Sequence, residues 1–192
     1  MPRQFDEDPD KIEQHICNIV KAVKSQVSMP IAVKLGPYFT SMPRMAKAVR
    51  KAGASALVLF NRFYQTDLDV ENMDFLSRNK YSTHSEMSNT LCWIAILYQQ
   101  VGCPLVGNTG IHDGEAVVKQ ILVGARAVEV CSALYIHGLE RIGEMTAYVA
   151  DWMERKGYET VKDFRGKMSQ KYVDEPEYFE RQQYIRALVG ID

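Results

Sequence analysis

The feature that most constrains this chain is a strand–helix alternation that occurs four times. Four short apolar runs, at residues 31–35, 56–60, 104–107 and 127–131, are each followed by a stretch with helical spacing. Nearly unbroken runs of this length mark strands buried on both faces of a parallel sheet, with the helices as crossovers. A leading helix precedes them: Ile12, Ile16, Ile19, Val20, Val23 and Val27 recur mostly at three- and four-residue steps, and Asp8-Pro9 supplies the cap and first-turn signals.

The intervening segments follow from local signals. A second helix is expected over residues 42–52 with Gly53 as its stop, and a long polar loop over residues 62–84. Ser85 is the expected cap of a third helix reaching Gly102, and a fourth runs over residues 113–123 to Gly124. One long helix is expected after the last strand, through Trp152. Residues 51–59 and 122–130 form a weak internal repeat of helix end, Gly-Ala turn and strand. Such units favour parallel strands with right-handed crossovers, in an open doubly wound sheet or in part of a (β/α)8 barrel. A complete barrel takes about 250 residues and eight strands. This chain has 192 residues and four such strands, which as barrel would be one half-barrel domain, with residues 170–192 as a C-terminal tail or helix.

Charge narrows the partners. The 23 basic and 24 acidic side chains leave a net charge of -1, which points to a small-molecule substrate and away from nucleic acid or an anionic membrane. No apolar run reaches the roughly 18–20 residues that span a bilayer, and the first eight residues lack a signal-peptide core, so a cytoplasmic protein is expected. Cys17, Cys92, Cys103 and Cys131 show neither zinc nor iron–sulfur spacing, so no metal is expected. The first three read as buried, inert thiols.

In either architecture ligands bind at the C-terminal ends of the strands. Those ends carry Lys34, Asn61, the loop Asn108-Thr109-Gly110-Ile111, and Cys131-Ser132. Lys34, in an otherwise apolar strand, needs an anion: a ligand, or a carboxylate such as Glu129. Asn61 suits a planar polar ligand or a turn cap. The Gly107–Gly110 loop and the start of the helix at Ser132 offer backbone N–H groups to a phosphate, or the glycines merely permit a tight turn. His112 and His137 lack a Ser or Cys at triad spacing and receive no role; His15 and His84 read as ordinary satisfied histidines.

These residues also resemble a known family. Val33-Lys34-Leu35-Gly36-Pro37-Tyr38-Phe39 is similar to the Val-Lys-Leu-x-Pro-x-Phe segment of soluble dihydroorotate dehydrogenases. Leu59-Phe60-Asn61-Arg62-Phe63-Tyr64-Gln65, Trp93-Ile94-Ala95, Gly107-Asn108-Thr109-Gly110-Ile111-His112-Asp113-Gly114 and Val130-Cys131-Ser132-Ala133-Leu134 resemble further segments in the family's order. The resemblance runs from about residue 10 to residue 170 and implies the C-terminal half of an FMN-binding TIM barrel. It implies flavin-dependent oxidation of dihydroorotate or a similar dihydropyrimidine, in pyrimidine biosynthesis. It implies Lys34 against the flavin, Asn61 against the substrate, and Asn108, Thr109, Gly110, Cys131 and Ser132 at the cofactor's phosphate end. Thr109 departs from the glycine usual there. The family's catalytic base belongs to a segment before this chain's first strand, so no catalytic residue is assigned. Two other readings stand beside this one: a non-catalytic half-barrel, and a phosphate-binding barrel aldolase or isomerase with Lys34 as a Schiff-base lysine. Open strand edges call for a homo-oligomer or a separately supplied first half.

Overall fold

A computed structural model describes residues 8–63, 66–76, 80–174, 176 and 179. Expectations for residues 1–7, for Tyr64 and Gln65, and for most of the tail beyond residue 174 lie outside the described residues.

Helix α1 (Pro9–Gln26) begins where the sequence places it: the Asp8 carboxylate accepts from the Asp10 amide at 2.9 Å, and Pro9 occupies the first turn. Strand β1 (Ala32–Leu35), helix α2 (Met42–Lys51) and strand β2 (Ala56–Leu59) follow as expected. The polar loop after β2 contains a hairpin of β3 (Asp67–Asp69) and β4 (Asp74–Leu76). Its Leu68 and Phe75 pair across the strands, and both are exposed. The next helix is capped by Thr83 rather than Ser85: the Glu86 carboxylate accepts from the Thr83 amide at 2.8 Å, closing a capping box around a short 3-10 turn. Helix α3 (Met87–Leu97) then ends five residues before Gly102. Strand β5 (Leu105–Asn108), helix α4 (Gly114–Val123) and strand β6 (Ala127–Glu129) complete the sheet. The long helix expected after β6 is two, α5 (Ser132–His137) and α6 (Arg141–Lys156), separated by Gly138 at φ 84°.

The main sheet has four parallel strands in the order β1-β2-β5-β6. Alternation divides its faces. Leu35, Leu57, Leu59 and Leu105 point to the helices and join a core with Met45, Val49, Ile94 and Leu97. Lys34, Val58, Val106 and Ala127 are register partners on the other face. No helix of the described residues is long and apolar enough to cross a membrane.

Three steps of about 4.8 Å would hold β1 and β6 roughly 14 Å apart in a flat sheet. Lys34 Nζ and Glu129 Oε2, on those two edge strands, meet at 3.0 Å. The long Lys and Glu side chains cover much of that gap; the face they share opens onto a cavity while α1, α2 and α3 pack on the opposite face, the arrangement of a barrel-wall segment rather than of a doubly wound sheet with helices on both sides.

Candidate cofactor-phosphate site

Every residue chosen from the sequence opens onto one cavity of about 550 Å³ at the C-terminal ends of the strands: Lys34, Asn61, Asn108, Thr109, Gly110, Cys131 and Ser132. Arg62, Lys80, Ser82 and Glu129 share it. Among the described residues its lining carries three cationic side chains and one carboxylate, an environment suited to an anion. Lys34 is held by Glu129, with both side chains close to half exposed. Arg62 makes a two-point contact with Glu86, at 2.7 and 3.2 Å. Burial of Glu86 by itself would raise its pKa; the hydrogen bonds from Arg62 and Thr83 outweigh it and hold the carboxyl below its ordinary value.

The loop after β5 is fixed through one carbonyl. Phe60 O accepts from Asn108 Nδ2 and from Thr109 Oγ1, each at 3.1 Å, while Asn108 Oδ1 accepts from the Thr109 amide at 2.8 Å. The Asn108 amide thus joins the ends of β5 and β2, a positioning task. Thr109 holds φ at 75°, a conformation a β-branched residue rarely adopts, and its hydroxyl bond to Phe60 O offsets part of that strain. Gly110 has φ 76°, and a Cβ there would run into the backbone of Met87.

Ser82 and His112 were invisible as a pair in the sequence. Ser82 Oγ lies 3.2 Å from His112 Nε2 and accepts from the Gly110 amide at 3.4 Å; the Ser82 amide donates to Ser132 Oγ at 3.0 Å. Ser82 Oγ can accept from both the Gly110 amide and a ring N–H, so the donor in its contact with Nε2 is set by the His112 tautomer. Burial, then the neighbouring His84, lowers the His112 pKa, which agrees with a neutral ring. His84 Nε2 in turn lies 3.0 Å from Asp113 Oδ2. The segment around Ser82 therefore joins the turns after β5 and β6.

The two helix starts differ from each other. Asp113 caps α4, accepting from Ala116 N at 2.8 Å, so the protein's own carboxylate occupies that terminus. At the start of α5, Cys131 makes no capping bond and its side chain is exposed. Of the two helix starts expected to offer free backbone N–H groups, only that of α5 has no side-chain cap. Cys17 is buried, whereas Cys92 and Cys103 are half-buried; burial raises the thiol pKa of all three. Among the described residues no cluster of metal-ligating side chains occurs.

A parallel sheet covered by helices on one face, with a polar cavity at the C-terminal strand ends, defines a partial (β/α)8 barrel. The model of the family described as dihydroorotate dehydrogenase matches residues 3–153. The chain belongs to that family. It is 28% identical over 168 residues to the dihydroorotate dehydrogenase B (NAD(+)) catalytic subunit of Caldicellulosiruptor saccharolyticus, covering 86% of this chain and 54% of the relative. The protein of the same name from Thermoplasma volcanium is 28% identical over 162 residues, 83% of this chain and 52% of the relative. That from Methanocaldococcus jannaschii is 30% identical over 126 residues, 64% of this chain and 41% of the relative. The chain spans about half the length of the curated relatives it matches.

Proposed function

We propose that this chain forms the phosphate-binding half of an FMN-dependent oxidoreductase that, in a closed barrel, oxidises dihydroorotate or a similar dihydropyrimidine. The observation that carries this reading is the convergence of Lys34, Asn61, Asn108, Thr109, Gly110, Cys131 and Ser132 on one cation-rich cavity.

The donor set suits a phosphorylated planar ligand. Ser132 Oγ accepts from the Ser82 amide, which leaves its own proton for a phosphate oxygen. Cys131 and Ser132 would hold the phosphate at the uncapped start of α5, with Thr109 and Gly110 as the opposite wall. Lys34 would supply positive charge along the ligand. The Asn61 side chain makes no hydrogen bond among the described residues and faces both this cavity and a neighbouring one of about 340 Å³ lined by Tyr38, Phe60 and Phe63. An amide donor and acceptor beside aromatic rings is a recognition set for a flat heterocycle. When bound, the flavin supplies the hydride-accepting chemistry, and the residues named here bind and orient. No residue of the cavity is assigned as the proton-abstracting base.

A Schiff-base lysine needs a desolvated pocket. Lys34 is ion-paired with Glu129 at 3.0 Å rather than standing among apolar side chains, so the oxidoreductase reading is preferred to the aldolase. The test is a paired titration with FMN and riboflavin, followed by flavin fluorescence. FMN is expected to bind at least tenfold more tightly than riboflavin, with the advantage reduced in Lys34→Ala and Ser132→Ala. Equal affinities, or no FMN binding at several hundred micromolar, would refute the phosphate site.

A further inference from the structure

We propose that Ser82 is a further ligand for the phosphate of the bound molecule and that His112 positions it: with a proton on Nε2, His112 donates to Ser82 Oγ and turns the Ser82 hydroxyl towards a phosphate oxygen. Anion binding in the cavity is then coupled to proton uptake by His112. The inference rests on the reading of the cavity as a phosphate site, not on the ligand being a flavin.

Ser82 is buried and lines the cavity beside Lys80 and Ser132. Its Oγ has two partners among the described residues, the Gly110 amide at 3.4 Å and His112 Nε2 at 3.2 Å. A hydroxyl has one proton to donate and two lone pairs to offer. With Nε2 unprotonated, the Ser82 proton goes to the ring and none is left for a ligand. With Nε2 protonated, Gly110 and His112 fill both lone pairs, and the hydroxyl proton needs another acceptor. A phosphate oxygen in the cavity is that acceptor. Ser132 stands next to it, since its Oγ accepts from the Ser82 amide at 3.0 Å. Two hydroxyl protons then point to the ligand from neighbouring side chains.

The groups around His112 decide when it takes that proton. His84, from the 3-10 turn, stacks on it with ring centroids 4.8 Å apart. His137, at the end of α5, also raises the local positive potential when charged. Arg141, at the start of α6, donates to the His112 carbonyl at 2.9 Å and is itself paired with Glu144. Asp113, at the cap of α4, is the nearby carboxylate, and His84 engages it at 3.0 Å. Burial first, and His84 next, therefore favour the neutral ring. An imidazolium at 4% exposure in these surroundings needs a counter-charge of its own. A phosphate on the far side of Ser82 supplies it. By linkage, an anion that favours the protonated ring binds more tightly as pH falls through the His112 range, and raises the pKa of the ring by the same factor.

Histidine NMR on the full wild-type chain reads this coupling directly. The chain has four histidines, and the signal lost in His112→Gln assigns the one that matters. Sulfate is the first probe, because it stays a dianion over the range in which imidazole titrates, whereas a phosphate monoester itself titrates at about pH 6. FMN and riboflavin are the second and third. Sulfate at tens of millimolar, against chloride at equal ionic strength, is expected to raise the His112 pKa by about half a unit or more, roughly a threefold preference for the protonated ring. FMN is expected to do the same and riboflavin to leave it in place. Sulfate affinity, followed at the Gly110 and Ser132 amide signals, should fall roughly tenfold in Ser82→Ala, the size of a hydrogen bond to a charged group. In His112→Gln, which keeps an N–H donor that does not titrate, that affinity should depend less on pH than in wild type. A His112 pKa that neither sulfate nor FMN moves overturns the proposal, as does sulfate binding that Ser82→Ala leaves unchanged. A shift with sulfate in a chain that binds no flavin would keep this inference and remove the flavin reading; FMN binding with the His112 pKa unmoved would do the reverse.

Discussion

Gln120 offers a quantitative test of how α4 packs behind the site. Its side chain is fully buried, and neither Nε2 nor Oε1 has a hydrogen-bond partner among the described residues. It faces Gly107 of β5, where a Cβ would lie 2.6 Å from Oε1. A buried polar group without a partner costs roughly 1–3 kcal/mol. Methionine has similar length and volume, and volume-conserving swaps in a core cost less than about 1.5 kcal/mol. Gln120→Met is therefore expected to stabilise the fold by about 1–2 kcal/mol. For a chain of this size each kcal/mol moves the midpoint by roughly 2–4 °C, so a gain of about 2–8 °C is expected. Urea unfolding is the better assay, because an unchanged m-value with a higher midpoint assigns the gain to stability rather than to a different unfolded state. A variant less stable than wild type by about 1 kcal/mol or more, the size of a made hydrogen bond, would refute the reasoning and show that the amide is satisfied.

The remaining predictions concern the site. Thr109→Ala keeps the strained φ but loses the bond to Phe60 O, and should cost about 1 kcal/mol; Thr109→Gly relieves the strain and should cost less, so denaturation midpoints in the order glycine above alanine are expected. His112 has a lowered pKa, so its contribution to stability is complete above about pH 6.5 and is lost as pH falls through its folded value. Midpoints measured from pH 7.5 to 5 should fall less steeply in His112→Gln than in wild type; parallel curves would show that His112 is not the titrating group. Glu86, with its pKa lowered, stabilises above about pH 4.5 and loses that contribution as pH falls further, so Glu86→Gln should flatten the acid limb measured in the same way. Glu129→Gln removes the one carboxylate lining the cavity among the described residues. It should tighten FMN several-fold, on the order of 0.5–1 kcal/mol for a half-exposed pair, with riboflavin little changed; an equal gain for both ligands would separate Glu129 from the phosphate.

Local physics made much of the fold legible. The strand–helix units, the Asp8 cap and the start of α4 at Asp113 follow from periodicity, φ restriction and side-chain bonds spanning two or three residues. The strand ends that line the cavity were readable for the same reason: once the units are parallel, their C-terminal ends must share one side of the sheet. What resisted reading depends on pairs distant in the chain. Lys34 and Glu129 are 95 residues apart, and the sequence left Lys34 between a ligand and this carboxylate. The folded sheet pairs it with Glu129 while leaving it on the cavity lining, a placement set by strands distant in the chain. Ser82 and His112, 30 residues apart, carry no spacing signal of their own. The break at Gly138 and the Thr83 cap also departed from expectation, since helical spacing does not show where a chain turns to pack. Sequence by itself determined the repeating unit, the side of the sheet that bears polar chemistry and the family. Tertiary structure alone decided the ion pair and the histidine's partner, because each is a distance between residues that only the closed packing of the sheet and its loops can set.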